Sequence, residues 1–99
     1  AHYRGQLVIV RYYSLNYASA TVNANSLKLD AAEAAGAKPF GVQLADGYGL
    51  WRKASAHSGG SPCTAGLLTQ LGSPSSCGVH PSYSGQGVLA QAVAHAARL

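Results

Sequence analysis

The side chains best placed for chemistry lie around residue 80, in Cys77-Gly78-Val79-His80-Pro81-Ser82-Tyr83-Ser84-Gly85-Gln86-Gly87. Pro81 fixes its own φ and crowds the residue before it, so His80 is held in an extended backbone. An imidazole presented in this way, just ahead of a helix start, is suited to take a proton from a hydroxyl. The plain alternative is a surface histidine before a helix. Asp46, at the C-terminal end of a predicted strand, stands where crevices of open α/β sheets form, and could orient such an imidazole. It could equally be a helix cap. Tyr12, Tyr13, Ser14 and Asn16 follow the first predicted strand and could line the same crevice, or the tyrosines could simply pack there. None of the eleven serines shows both a base in reach and an oxyanion pocket opposite, which a nucleophile requires. Ser14, Ser82 and Ser84 therefore read as cap or loop residues. His57 and His95 read as solvated or helix-capping, Trp51 as core, and His2 as part of a frayed end.

Two cysteines, Cys63 and Cys77, bracket a stretch rich in Gly, Ser and Pro. In a small chain this suggests a disulfide and an oxidising, extracellular compartment. Closing a loop of about 15 residues stabilises a fold by roughly 3 kcal/mol in the chain-entropy treatment. No second Cys or His pair stands at metal-ligand spacing, and neither a metal nor a cofactor is expected. The seven Lys and Arg exceed the three Asp and Glu by a net charge of +4. They are scattered over Arg4, Arg11, Lys28, Lys38, Arg52, Lys53 and Arg98, with no stripe that would follow a phosphate backbone, so nucleic acid is not an expected partner. No run is long enough to span a membrane, and no signal peptide is legible.

The elements that must position these groups follow from periodicity. Gln6 to Tyr13 is a continuous apolar strand, expected to be buried on both faces. Val22 to Ala35 reads as a helix capped by Asn23 or Asn25, with Leu27, Ala31, Ala34 and Ala35 on one face and Gly36 at its end. Phe40 to Asp46 is a second strand, interrupted by Gly41. Strand, helix and strand at this spacing predict a βαβ crossover with parallel strands. Gly47 to Ala56 suggests a short helix, and Ala65 to Leu71 one or two helical turns. A helix from Ser82 to Arg98 carries Val88, Leu89, Ala92, Val93, Ala96 and Leu99 at helical spacing, with Ser82 or Ser84 as N-cap. The expected class is α/β, a parallel sheet with flanking helices. Two strands are too few for a parallel sheet covered on both faces. The chain is thus read as a single domain over 1–99, or as the C-terminal part of a larger one, whose sheet is completed by a missing N-terminal part, a companion chain or a second copy.

The block from Cys77 to Ala90 resembles the last motif of the SGNH (GDSL-type) ester hydrolases, in which His-Pro precedes a small residue, a Gly and a helix rich in Leu and Ala. The apolar strand ending in Tyr12-Tyr13, the Ala-rich helix, Ala45-Asp46-Gly47-Tyr48 and Pro62-Cys63-Thr64-Ala65-Gly66-Leu67-Leu68 are similar to the C-terminal portion of secreted actinobacterial-type members. This resemblance implies a three-layer α/β fold, hydrolysis of an ester or lipid substrate by a serine nucleophile, and His80 as general base and then general acid. The family's Gly-Asp-Ser block and its oxyanion donors do not occur here, nor does Gly-x-Ser-x-Gly. The family acid is also missing, since Cys77 and Gly78 occupy its place. Three functions follow as expectations. The first is the histidine-bearing part of a secreted esterase or lipase. The second is a non-catalytic secreted binding or toxin-like module. The third is a minimal esterase using a serine of its own.

Overall fold

The computed structural model describes residues 5–73 and 76–97. His2, Arg98 and Leu99, to which the sequence assigned roles, lie outside them. Three helices and two small sheets make up a mixed α/β domain. In chain order these are β1 (Val8–Val10), α1 (Ala20–Ala37), β2 (Gln43–Ala45), α2 (Gly47–Ser55), β3 (Leu68–Ser73), β4 (Ser76–Pro81) and α3 (Tyr83–Ala97). Short 3-10 turns follow α1 at Lys38–Phe40 and α2 at Ala56–Ser58.

β1 and β2 pair in parallel with Val8 opposite Gln43, Ile9 opposite Leu44 and Val10 opposite Ala45. The ladder continues through Gln43 N–H to the Leu7 carbonyl at 2.9 Å and Arg11 N–H to the Ala45 carbonyl at 2.8 Å. The expected β1–α1–β2 crossover is therefore present. β1 is, however, only three residues long and half-buried along its length, not sandwiched on both faces. With β2 as its only neighbour in the sheet, the second edge of each strand carries backbone groups that no described strand pairs.

α1 departs from its sequence reading at both ends and on its face. Ser19, not Asn23 or Asn25, caps it by accepting the Val22 N–H at 3.2 Å, and it runs through Gly36 to Ala37. The apolar face expected to bury Leu27 does not: Leu27 is 42% and Leu29 45% exposed, whereas Asp30 is buried. This helix docks through polar groups instead.

The helical turns expected over 65–71 are replaced by β3, which pairs antiparallel with β4 through Leu68 opposite Pro81, Gln70 opposite Cys77 and Ser73 opposite Ser76. The pairing register shifts between Leu68 and Gln70 and shifts back between Gln70 and Ser73, as bulges do. Ahead of β3, Cys63 is bonded to Cys77 of β4, as the spacing suggested. α3 packs against α2 and both parallel strands. Ser82 is its N-cap: its hydroxyl accepts the Gly85 N–H at 3.1 Å and donates to the Gly66 carbonyl at 2.6 Å.

Tyr13, Trp51, Leu67 and Leu68 form the core, with Val88, Leu89, Tyr17 and both cysteines packed on it. Two glycines permit the close approaches around it. A Cβ on Gly47 would lie 2.8 Å from Val10 Cγ1 and 3.1 Å from Leu89 Cδ2, where β2 turns into α2 beneath α3. A Cβ on Gly85 would overlap the Leu67 carbonyl oxygen and sit 2.9 Å from Trp51 Cζ2. Neither the backbone oxygen nor the buried indole can step aside. Gly85→Ala is therefore expected to destabilise the fold by about 2–3 kcal/mol through overpacking. Urea unfolding monitored by Trp51 fluorescence checks this, and an unchanged midpoint would show that α3 can shift freely on the core.

Candidate functional site

The chain leaving β1 is held by a row of polar side chains on α1. Asn23, Ser26 and Asp30 stand one turn apart and meet successive residues of the 12–17 segment. The Asp30 carboxylate accepts the Tyr12 N–H, and the Ser26 hydroxyl donates to the Tyr13 carbonyl at 3.1 Å. The Ser14 hydroxyl donates to the Asn23 side-chain carbonyl at 2.6 Å, while the Asn23 amide donates to the Tyr17 carbonyl at 2.9 Å. Tyr17 in turn accepts the Ser14 N–H at 3.2 Å and donates to the Tyr48 carbonyl at 2.7 Å, which joins the β1 tail to the start of α2. Burial pushes the Tyr17 hydroxyl far above its ordinary value, so it donates as the neutral phenol at any physiological pH.

Asp30 is 1% exposed. Its Oδ2 makes no hydrogen bond and lies 3.9 Å from Arg11 Nε, and Arg11 Nη1 lies 3.9 Å from Asp46 Oδ1. Arg11 thus stands between one buried and one exposed carboxylate at the C-terminal ends of the two parallel strands. Burial raises the Asp30 pKa, against the opposing pull of the Tyr12 N–H and of Arg11.

Tyr13 is the hub of the site. Its ring stacks on Trp51 at a centroid distance of 3.9 Å and on Tyr12 at 4.8 Å. Its hydroxyl, raised to about 12 by burial with a further contribution from Tyr12, donates to the Val79 carbonyl at 2.8 Å. That bond brings the residue next to His80 to the C-terminal end of β1. His80 itself lies in β4, extended as the following proline requires, with an exposed side chain.

Not every residue singled out in the sequence converges here. Asp46 caps α2 by accepting the Gly49 N–H at 2.8 Å, is paired with Arg11, and makes no ion pair or hydrogen bond with the His80 imidazole. Ser14 is wholly buried in the α1 network. Asn16 is exposed and accepts the Ala18 N–H at 3.0 Å through its side chain. Of the four residues assigned to a substrate crevice, Tyr12 and Tyr13 line a groove, together with Leu15, Val22, Ser26 and Leu29. Trp51 is fully buried, as expected. His57 is exposed within the 3-10 turn Ala56–Ser58 and His95 is exposed on α3. Asp30 and Ser26 were missed because a search for apolar helix faces passes over polar residues at the same spacing. Among the described residues no group of three or more His, Cys, Asp or Glu could hold a metal ion, and no helix is long and apolar enough to cross a membrane.

No protein-family model matches the chain, and no curated protein or solved structure is significantly similar to it.

Two outcomes test this geometry. The Cys63–Cys77 bond ties the loop before β3 to the strand that carries His80, so the Cys63→Ala/Cys77→Ala variant is expected to lose about 3 kcal/mol, read as a fall in the urea midpoint without a change in far-ultraviolet circular dichroism. Asp30 gives a pH signature. Because its folded-state pKa lies above its ordinary value of 3.8, the stability it contributes is present in acid and is lost as pH rises through the raised value. Wild-type stability should therefore fall more steeply with pH, upward from 3.8, than that of Asp30→Asn. Parallel pH profiles for the two proteins would exclude a desolvated carboxyl at this position.

Proposed function

We propose that this chain is the histidine-bearing part of a secreted serine ester hydrolase of the SGNH type, with His80 as its catalytic base. The observation that carries the reading is the placement of His80. Its imidazole is exposed, its backbone is extended, and its neighbour Val79 is fastened by Tyr13 to the C-terminal end of a parallel strand. Crevices of open parallel sheets form at such ends. The disulfide supports an oxidising location for the protein.

The nucleophile comes from another stretch of polypeptide. Of the serines of this chain considered for that role, Ser14 is buried and bonded to Asn23, Ser82 caps α3, and Ser84 is exposed in the first turn of α3. The unpaired edges of β1 and β2 and the exposed apolar side chains Leu7, Phe40 and Leu44 suit the addition of further strands, which would bring a serine hydroxyl to the imidazole. His80 would remove the hydroxyl proton as the oxygen attacks the ester carbonyl, then return that proton to the departing alkoxide, leaving an acyl-serine that water hydrolyses by the same route. Asp46, the acid the sequence offered, caps α2 and pairs with Arg11 without bonding the imidazole, so the group that orients His80 would come with the added polypeptide. The apolar groove beside Tyr12, Leu15 and Leu29 suits the acyl or alkyl part of an ester better than a charged substrate.

One observation favours the non-catalytic binding module instead: no carboxylate among the described residues contacts His80. The two readings separate in one assay. Completed by a segment bearing a Gly-Asp-Ser nucleophile block, the chain is expected to hydrolyse p-nitrophenyl acetate and to be labelled by a fluorophosphonate on that serine. His80→Ala should then lower kcat by roughly 10⁴-fold or more. Full turnover in His80→Ala would remove the catalytic assignment, and absence of both hydrolysis and labelling would leave the binding module.

A further inference from the structure

We propose that Tyr13 is the positioning residue for His80, acting through the Val79 carbonyl. The proposal rests on the hydrolase reading for its catalytic consequence, and its structural half can be tested apart from it. Among the described residues the His80 imidazole makes no hydrogen bond or ion pair that would fix its ring, so its direction depends on the backbone either side of it. That backbone belongs to β4, which pairs with β3, and is held at two further points. On one side the Val79 carbonyl accepts the Tyr13 hydroxyl at 2.8 Å. On the other, Ser82 N–H donates to the Leu67 carbonyl at 2.8 Å and Ser82 Oγ to the Gly66 carbonyl at 2.6 Å. Between them, Pro81 restricts His80 to extended conformations. With both flanking peptides anchored, the Cα–Cβ direction of His80 is set and only its side-chain rotamers remain.

The two anchors differ in kind. The Ser82 anchor belongs to the N-cap and would exist for any α3 that packs on this loop. The Tyr13 anchor crosses from the segment that follows β1 and adds a directional bond to the apolar packing of Leu67 and Leu68 on Tyr13 and Trp51. Tyr13 is itself immobile, since its ring lies against Trp51 and its carbonyl accepts from Ser26, while the preceding N–H is bound to Asp30. A donor fixed on three sides transmits its position to its acceptor. A phenylalanine would keep the ring stack and lose only the tether.

The test uses Tyr13→Phe and, as a substitution that cannot disturb packing by removing an atom, 3-fluorotyrosine at position 13. In carbon–proton spectra of the 99-residue chain the His80 imidazole peak is expected to shift and sharpen in Tyr13→Phe and to shift with 3-fluorotyrosine, while the His57 and His95 peaks stay in place. In the completed hydrolase Tyr13→Phe is expected to lower kcat about tenfold with KM unchanged, whereas a merely structural role would lower the melting temperature and leave kcat per folded molecule as it was. A His80 peak unmoved by both substitutions, or full kcat in Tyr13→Phe, overturns the proposal. A His80 peak that responds to both substitutions, together with a completed wild-type protein that hydrolyses no ester, supports the tether and sinks the hydrolase reading alone.

Discussion

A hydrogen bond from the Tyr13 hydroxyl to the Val79 carbonyl links the two sheets of this structure, across a shared apolar core, at the place where function is proposed. One is the parallel pair with its crossover helix, the other the antiparallel hairpin that carries His80. Such a bond is modest in net free energy, about 1 kcal/mol, because folding exchanges it for a bond to water. Its structural influence is larger because the donor cannot move. Tyr13 is stacked on a fully buried indole, and its backbone is held by the Ser26 and Asp30 side chains of α1, through its own carbonyl and the Tyr12 N–H. An unmade bond would also leave the hydroxyl of Tyr13, a buried residue, without this acceptor, so the geometry is preferred.

The way α1 takes part is unusual for a helix on a sheet. Crossover helices ordinarily dock by an apolar stripe. Here Asn23, Ser26 and Asp30 hold backbone and side-chain groups of residues 12 to 17, while Leu27 and Leu29 face outward. Polar docking fixes orientation more narrowly than apolar contact does, since each bond has a direction. It also leaves the leucines uncovered, consistent with a sheet that is completed by further polypeptide.

How far the residues alone foretold this varies with the physics of each element. Parallel pairing of β1 and β2 was legible because a continuous aliphatic run, a helix and a second run leave few other connections. The extended backbone at His80 followed from Pro81, the Cys63–Cys77 bond from spacing, and the Ser82 cap from its place before an apolar periodic run. β3 was misread because Leu67, Leu68 and Leu71 fall at helical spacing, and a short apolar run cannot distinguish helix from strand. Pairing with β4, a tertiary event, decided it. The α1 network was invisible because its residues are polar, and polar residues ordinarily mark the solvent side. Asp30 showed nothing in sequence to separate it from a surface acid. Whether Asp46 and His80 cooperate is likewise a matter of long-range geometry that spacing does not encode.

The one covalent cross-link lies wholly within the second half of the chain, between the loop before β3 and β4. Nothing comparable closes the long excursion through α1 that separates β1 from β2. Under thermal or chemical stress the two halves should therefore part company in a fixed order, the crossover unit fraying while the stapled hairpin persists. The imidazole would then outlast the surface it serves, and recovery would require only that the strands of the first half find each other again.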